Sequence, residues 1–179
     1  MTLKIIDEAD MAPELDAAIR RQLCLCFPHG AATFSKTRAW HGCAPAYTVV
    51  VEEGGGVIAH AGVVDRTITV GECSLRTTGV QNVFVVPPLR GTGLSRQVTD
   101  AAIGEAERRG FEIGLLFCRD ELVPLYARSG WRHLQGRPVM RIDPGGREVL
   151  KNDGRTTMYY PIGGRAFPDG LIHLNGDDW

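Results

Sequence analysis

The chain has 179 residues and a formal net charge of −1, with 44% hydrophobic and 23% charged residues. This length favours a single domain over residues 1–179, and the composition excludes collagen-like, coiled-coil and intrinsically disordered classes. The balanced charge gives no reason to expect nucleic acid or a membrane as a partner, and no apolar run approaches the roughly 20 residues that span a bilayer. The N-terminus turns acidic where a signal peptide would continue apolar, so we expect a cytoplasmic protein.

The five cysteines include no Cys-x-x-Cys pair and no metal-ligand spacing, so we expect reduced thiols and no metal site. Cys118 ends an apolar run and is the one cysteine near a candidate site. We interpret it as a small buried hydrophobe and keep a nucleophile as the alternative.

The first half of the chain predicts one helix and three strands. Apolar residues at helical spacing, followed by Pro28-His29-Gly30, indicate a helix that ends before this tripeptide. The stretch up to Ala46 is interpreted as a loop or a broken helix. The elements are a helix over 12–27, a hairpin of strands 47–52 and 57–65 joined by a glycine-rich turn, and a strand over 76–86.

The second half alternates helices and strands. A helix over 94–109 ends at Gly110, and the run 111–118 is typical of a strand buried on both faces. A short helix over 121–128 is expected to be capped by Asp120. The remaining elements are strand pieces at 131–133, 139–142 and 156–162, a turn-rich stretch at 143–154 and an irregular tail at 163–179. This order predicts a mixed sheet with helices on its faces.

The stretch that carries chemistry is Val83–Ser95, where a strand, a glycine-rich turn and a helix N-terminus follow one another. Such a turn gathers backbone N–H groups at the positive end of a helix dipole, which suits a phosphate, and Arg90 adds a positive charge. Arg96 replaces the third glycine of a dinucleotide fingerprint, and the Lys-Ser/Thr of a P-loop is missing. A plain strand–helix connection is the alternative at this point.

Residues 90–95, Arg-Gly-Thr-Gly-Leu-Ser, resemble the Arg/Gln-x-x-Gly-x-Gly/Ala motif of the GNAT superfamily of acyl-CoA N-acyltransferases, with Ser95 in place of the usual Gly or Ala. The strand 111–118 followed by Tyr126-Ala127-Arg128-Ser129-Gly130-Trp131 resembles the next block of that family. The resemblance implies an α/β (α+β) fold with a mostly antiparallel mixed sheet and helices on both faces. It also implies a splay between strands 76–86 and 111–118.

Two subfamilies are similar over more of the chain. Residues 57–131 and the Asp177-Asp178-Trp179 end resemble aminoglycoside 2′-N-acetyltransferases, which also end in Gly-Asp-x-Trp. Residues 57–72, 160–163 and 175–176 resemble the nodulation N-acyltransferases.

The resemblance implies acetyl-CoA as co-substrate, with an acyl-carrier-protein donor as the nodulation-type variant. The backbone amides of Arg90, Gly91, Thr92, Gly93, Leu94 and Ser95 would hold the pyrophosphate. The backbone groups of Val83, Phe84 and Val85 would pair with the pantetheine arm, and one of their N–H groups would stabilise the oxyanion.

The resemblance also assigns catalytic roles. Tyr126 occupies the place of a tyrosine that protonates the departing thiolate, with packing against the cofactor as the alternative. Gln81 occupies the place of a glutamate, and since an amide is not basic, Gln81 can only position a water or an amine. Asp177, Asp178 and the carboxylate of Trp179 place three negative charges within three residues. They are candidates for the base and for contact with a cationic amine, with a frayed terminus as the alternative. His29, His41 and His60 are expected to be structural or exposed.

The sequence therefore predicts an N-acetyltransferase that moves an acetyl group from acetyl-CoA to a primary amine of a small molecule, such as an amino sugar or aminoglycoside. A nodulation-type N-acyltransferase acting on a glucosamine-type amine and a non-catalytic CoA-binding sensor are the alternatives. The expected partner is the small-molecule amine, and a homodimer is left open.

Overall fold

Ten strands and four α-helices make up the computed structural model, which describes all residues from 1 to 179. In chain order they are β1 (Thr2–Asp7), α1 (Pro13–Cys26), α2 (Ala31–Phe34), β2 (Tyr47–Glu53), β3 (Gly56–Val70), β4 (Cys73–Val85), α3 (Leu94–Arg108), β5 (Ile113–Cys118), α4 (Val123–Ala127), β6 (Arg132–His133), β7 (Val139–Ile142), β8 (Glu148–Leu150), β9 (Thr156–Tyr160) and β10 (Ile172–His173).

The chain divides into two compact units. Unit 1 comprises Met1–Val64 and Val80–Ala102, and unit 2 comprises Asp65–Gly79 and Ile103–Trp179. The strands β3 and β4 and the helix α3 each contribute residues to both units. The expectation of one domain over residues 1–179 stays a prediction.

Unit 1 has an antiparallel arrangement in which β2 pairs with β1 on one side and with β3 on the other. The valines Val49–Val51 of β2 are fully buried because this strand is central. The helix α1 begins at Pro13, whose fixed φ suits the first helical turn, and it buries Ile19 and Leu23 in a core shared with Phe34 and Phe84. The hairpin predicted around residues 53–56 is therefore confirmed.

Unit 2 is organised around β5, all of whose residues are buried. β5 pairs antiparallel with β9, and it pairs in parallel with β4 over three residue pairs, Thr77–Gly79 with Ile113–Leu115. The second parallel pair is β10 with β7, whereas β10 with β3, β6 with β9 and β7 with β8 are antiparallel. The predicted mixed, mostly antiparallel sheet with helices is confirmed.

Four details differ from the sequence-based expectations. The strand β1 was not predicted, and the stretches read as turn-rich and irregular contain β8 and β10. The expected helix cap at Asp120 is wrong, because its carboxylate accepts a hydrogen bond from the Thr156 hydroxyl instead. A cap would have needed that carboxylate to face the first backbone N–H groups of the helix.

None of the four helices combines the length and the apolar character that a membrane span requires.

Candidate functional site

The glycine turn joins β4 to α3 in unit 1. Gly91 and Gly93 have φ values of +81° and +89°, in the left-handed region that favours glycine. A Cβ at either position would meet no atom within 4 Å, so the space beside both glycines is open. The first hydrogen bond of α3 runs from the Gln97 N–H to the Gly93 carbonyl, and the N–H groups before it have no partner within the helix. The turn therefore has the backbone geometry, the open space and the dipole of an anion site.

Side chains of the turn hold it in place. The Thr92 hydroxyl donates to the Leu89 carbonyl at 2.7 Å, and the Arg90 Nε donates to the Val85 carbonyl at 3.2 Å. Arg90 is otherwise exposed, so its positive charge lies at the surface of the turn. Both contacts tie the turn to the end of the preceding strand and its following 3-10 turn.

The direction of the β4 backbone decides which of its groups can meet a ligand. The Val86 N–H donates to the Ile58 carbonyl of β3 at 2.9 Å, so it points towards β3. Backbone groups alternate sides along a strand, which directs those of Phe84 towards β3 and those of Val83 and Val85 away from it. Phe84 instead contributes its side chain, 3% exposed, to the core. Of the three residues predicted here, Val83 and Val85 present backbone groups on the side away from β3.

Gln81 is buried, and one of the two polar groups of its side-chain amide has a hydrogen-bond partner. Its Nε2 donates to the Cys43 carbonyl at 2.8 Å, which fixes the orientation of the amide, and its Oε1 is buried without a partner. The side chain is 4% exposed. The Nε2 group of Gln81 therefore holds a neighbouring loop, and the role of Gln81 in positioning a water or an amine stays a prediction.

Tyr126 lies on α4 in unit 2, 8% exposed, with its ring at 6.1 Å from that of Trp131 in an edge-on arrangement. Burial raises the pKa of the Tyr126 hydroxyl above its usual range, with a further contribution from Cys118. Burial likewise raises the pKa of the Cys118 thiol to about 11. Tyr126 is therefore a protonated donor at physiological pH, and Cys118 is a buried thiol rather than an activated nucleophile.

The C-terminal segment is ordered and docked within unit 2. Trp179 is 5% exposed, its Nε1 donates to the Leu115 carbonyl at 3.4 Å, and its ring lies 5.5 Å from that of Phe117. Gly79 makes room for the indole, because a Cβ there would be 2.7 Å from Trp179 Cζ2. Gly79 and Leu115 are the last pair of the β4–β5 ladder. The alternative of a frayed terminus is excluded.

The two aspartates before Trp179 face cations. Arg141 pairs with the carboxylates of both Asp177 and Asp178, and Lys151, itself 4% exposed on its side chain, lies 3.0 Å from Asp178 Oδ2. Arg66 donates to the Asp177 carbonyl and lies over the Trp179 ring at 5.3 Å. These cations balance the charges of the two aspartates, and contact of the C-terminal segment with a cationic amine stays a prediction.

The sequence analysis did not identify the residues that contact the predicted site residues and hold them in position. A glycine inside a strand pattern signals close approach of another group, and Gly79 carried that signal for Trp179. An asparagine inside a strand is similarly unusual, and Asn82 lies within β4. Arg66, Arg141 and Lys151 carried no local signal, since their partners lie far along the chain.

Comparison with known proteins adds the family. Residues 4–145 match the family described as nodulation protein A (NodA). An aminoglycoside 2′-N-acetyltransferase from Mycolicibacterium fortuitum is 27% identical over 162 residues, which cover 90% of this chain and 80% of that protein. The sequence resemblances to both groups are thereby confirmed.

Solved structures share the fold. An aminoglycoside 6′-N-acetyltransferase complexed with coenzyme A aligns with a TM-score of 0.65 at 12% identity. The alignment covers 94% of this chain and 100% of that chain. A GNAT family acetyltransferase from Brucella melitensis in complex with acetyl-CoA aligns with a TM-score of 0.58 at 16% identity, covering 96% of this chain and 94% of that one. The GNAT-type fold is therefore confirmed.

Proposed function

Because the chain belongs to the nodulation protein A (NodA) family and has the fold of GNAT N-acyltransferases, we propose that it transfers an acetyl group from acetyl-CoA to a primary amine of a small molecule. The observation that carries the proposal is the turn at Gly91 and Gly93, with open space beside both glycines and with N–H groups at the start of α3 that have no partner within the helix. This arrangement fits the pyrophosphate of coenzyme A.

The strand β4 supplies the second contact with the donor. Val83 and Val85 direct their backbone groups away from β3, so they can pair with the amide groups of a pantetheine arm as an added strand would. The Val85 carbonyl already accepts from Arg90, which leaves the N–H groups of both valines and the Val83 carbonyl for the ligand. One of these N–H groups would stabilise the oxyanion of the tetrahedral intermediate.

Direct attack is the mechanism that these residues support. The amine nitrogen forms a bond to the acetyl carbon, the carbon–sulfur bond breaks, and sulfur leaves with the electron pair as a thiolate. The nitrogen releases one proton to water, and the thiolate gains one. An acyl-enzyme would need an activated nucleophile, and the buried Cys118, with its pKa raised to about 11, does not provide one.

Tyr126 is the residue we assign to the leaving group. Its hydroxyl remains protonated because burial raises its pKa, so it is always available to donate a hydrogen bond to the thiolate. The same burial makes a free phenolate costly. After the tyrosine has given its proton to the thiolate, it would therefore take up a new proton from solvent.

The C-terminal segment is assigned to the acceptor. Trp179 covers the last pair of the β4–β5 ladder, and the carboxylates of Asp177 and Asp178 lie beside it, largely buried and paired with cations. Their remaining lone pairs would accept hydrogen bonds from the hydroxyl and amine groups of an amino sugar. An aminoglycoside or a simpler glucosamine-type amine would both present these groups.

Two alternatives are favoured by specific observations. The NodA family match favours an acyl donor other than acetyl-CoA and a glucosamine-type acceptor. The amide of Gln81, in the place where the resemblance expects a glutamate, favours a sensor that binds coenzyme A without turnover.

The deciding experiment measures thiol release from acetyl-CoA with a panel of amines: aminoglycosides, glucosamine and simple alkylamines. We expect turnover with at least one amino sugar. The variant Gly93→Val, which alters the proposed pyrophosphate site, should lose this turnover. Binding of coenzyme A in calorimetry without turnover of any amine would indicate the sensor. Turnover only with an acyl-carrier-protein donor would indicate the nodulation-type reaction.

A further inference from the structure

Asn82 interrupts β4 with a left-handed backbone. Its φ is +53°, whereas the strand continues on both sides of it. Non-glycine residues adopt this conformation rarely, and asparagine tolerates it best after glycine. A left-handed residue inside a strand therefore needs contacts that hold it.

Asn82 shifts the register of the side chains that follow. Gln81 Cγ lies 3.4 Å from the position of a Cβ on Gly62, and Phe84 stacks on His60 at 5.3 Å between ring centroids. His60 and Gly62 are two residues apart on β3 and so share one face. Gln81 and Phe84 are three residues apart and yet face the same side. Asn82 thus acts as one extra residue, as in a β-bulge.

Two hydrogen bonds hold this residue. Asn82 Nδ2 donates to the Arg38 carbonyl at 2.9 Å, and His60 Nδ1 lies 2.8 Å from the Asn82 carbonyl. A carbonyl only accepts, so Nδ1 must carry the ring proton. His60 is fully buried, which lowers its pKa to about 4 and keeps the ring neutral with Nε2 unprotonated. His60 is therefore a donor in one fixed tautomer, aimed at the Asn82 carbonyl.

We propose that His60 is a positioning residue for the acyl donor: its Nδ1–H holds the left-handed conformation of Asn82, which sets the direction of the Val83 and Val85 backbone groups. Without the extra residue, the alternation of backbone groups along β4 would reverse. The backbone groups of Phe84, and not those of Val83 and Val85, would then point away from β3. This inference rests on the proposed function, because it concerns the strand assigned to the pantetheine arm.

The test compares three variants with the wild type. His60→Phe keeps an aromatic ring against Phe84 and removes the donor, so we expect the coenzyme A Kd and the acetyl-CoA KM to rise by about tenfold or more, with a smaller change in kcat. His60→Asn carries an amide donor near the place of Nδ1, and we expect it to recover most of the affinity. His133→Phe, on the exposed strand β6, is the matched control and should bind as the wild type does.

A rescue variant separates positioning from packing. Glycine adopts a positive φ freely, so adding Asn82→Gly to His60→Phe should restore coenzyme A affinity to within a few-fold of Asn82→Gly alone. If His60 only fills the core, the added glycine would not help. Coenzyme A binding by His60→Phe at the wild-type level would also overturn the inference.

If His60→Phe does not fold, the pair Asn82→Gly and Asn82→Ala answers the same question at a half-buried position. Alanine disfavours the left-handed conformation, so Asn82→Ala should bind coenzyme A about tenfold more weakly than Asn82→Gly. Equal affinities would contradict the inference. A wild type that does not bind coenzyme A would remove the proposed function as well, whereas a binding wild type with unaffected variants would remove only this inference.

Discussion

Replacing Trp179 by alanine should destabilise unit 2 measurably. The indole is 5% exposed, and a buried tryptophan removes roughly 150–250 Å² from water, worth about 4–6 kcal/mol at about 25 cal/mol per Å². A terminal segment can relax after truncation, so we expect the lower part of the measured range for Trp→Ala, about 3 kcal/mol. For a chain of this length, that corresponds to a fall in Tm of roughly 6–12 °C.

Gly79→Ala gives an independent perturbation of the same contact. Its Cβ would lie 2.7 Å from Trp179 Cζ2, so the indole must move away, and we expect a loss of about 2–3 kcal/mol. In the Trp179→Ala background the same methyl group meets no ring. Alanine in place of glycine should then cost nothing, and it should stabilise by up to about 1 kcal/mol, because it restricts the unfolded chain.

The assay is a double-mutant cycle measured by urea unfolding. A coupling free energy of about 2 kcal/mol or more between positions 79 and 179 is the expected result. If the two losses simply add, the indole does not lie on Gly79 in solution, and the docking of the tail would be refuted. Measured on the same variants, the KM for the acceptor amine should rise while the Kd for coenzyme A stays unchanged.

Three further predictions concern the other site residues. Gly91→Val and Gly93→Val should weaken coenzyme A binding by calorimetry about tenfold or more, and the positive φ at both positions should also cost each variant about 1–3 kcal/mol of stability, although no protein atom lies within 4 Å of the new Cβ; unchanged affinity would remove the turn from the site. Tyr126→Phe should lower kcat by about 10²–10⁴ with coenzyme A affinity nearly intact, and a wild-type rate would leave Tyr126 as packing alone. Burial lowers the pKa of His60 to about 4, so its contribution to stability is complete above about pH 6.5 and is lost as the pH falls through 4, about 3 kcal/mol in all. Urea unfolding at a series of pH values should show this loss in the wild type and lack it in His60→Phe.

The parts of the fold that were predictable carry local signals. The glycine turn needs positive φ at Gly91 and Gly93, and both values are observed. The helix α3 has a strong apolar face, and β5 is a continuous apolar run, so both appear close to their predicted bounds. In each case the residue type itself restricts the backbone or the burial, which makes the sequence informative.

The parts that were not predictable depend on partners far along the chain. The strand β1 has no clean alternation, and its conformation follows from pairing with β2. The two-residue strand β10 exists because it pairs with β3 and β7. Likewise, the charges of Asp177 and Asp178 suggested an acidic site until the structure placed Arg141 and Lys151 against them. Spacing along the sequence contains no information about such pairs.

The contact between Gln81 and the Cys43 carbonyl explains why position 81 carries an amide and not a carboxylate. Gln81 donates to the Cys43 carbonyl, and a glutamate there would place a carboxylate against that carbonyl in a buried position, which costs free energy unless the acid keeps its proton. Gln81→Glu would therefore not supply a base at neutral pH, since burial would raise the pKa of the new carboxyl. Compared with the wild type, the variant should lose least stability at low pH, and the difference should grow as the pH rises above the unfolded-state pKa of about 4.3. An enzyme with this loop contact must release the amine proton by another route, and water is the acceptor that requires no further residue.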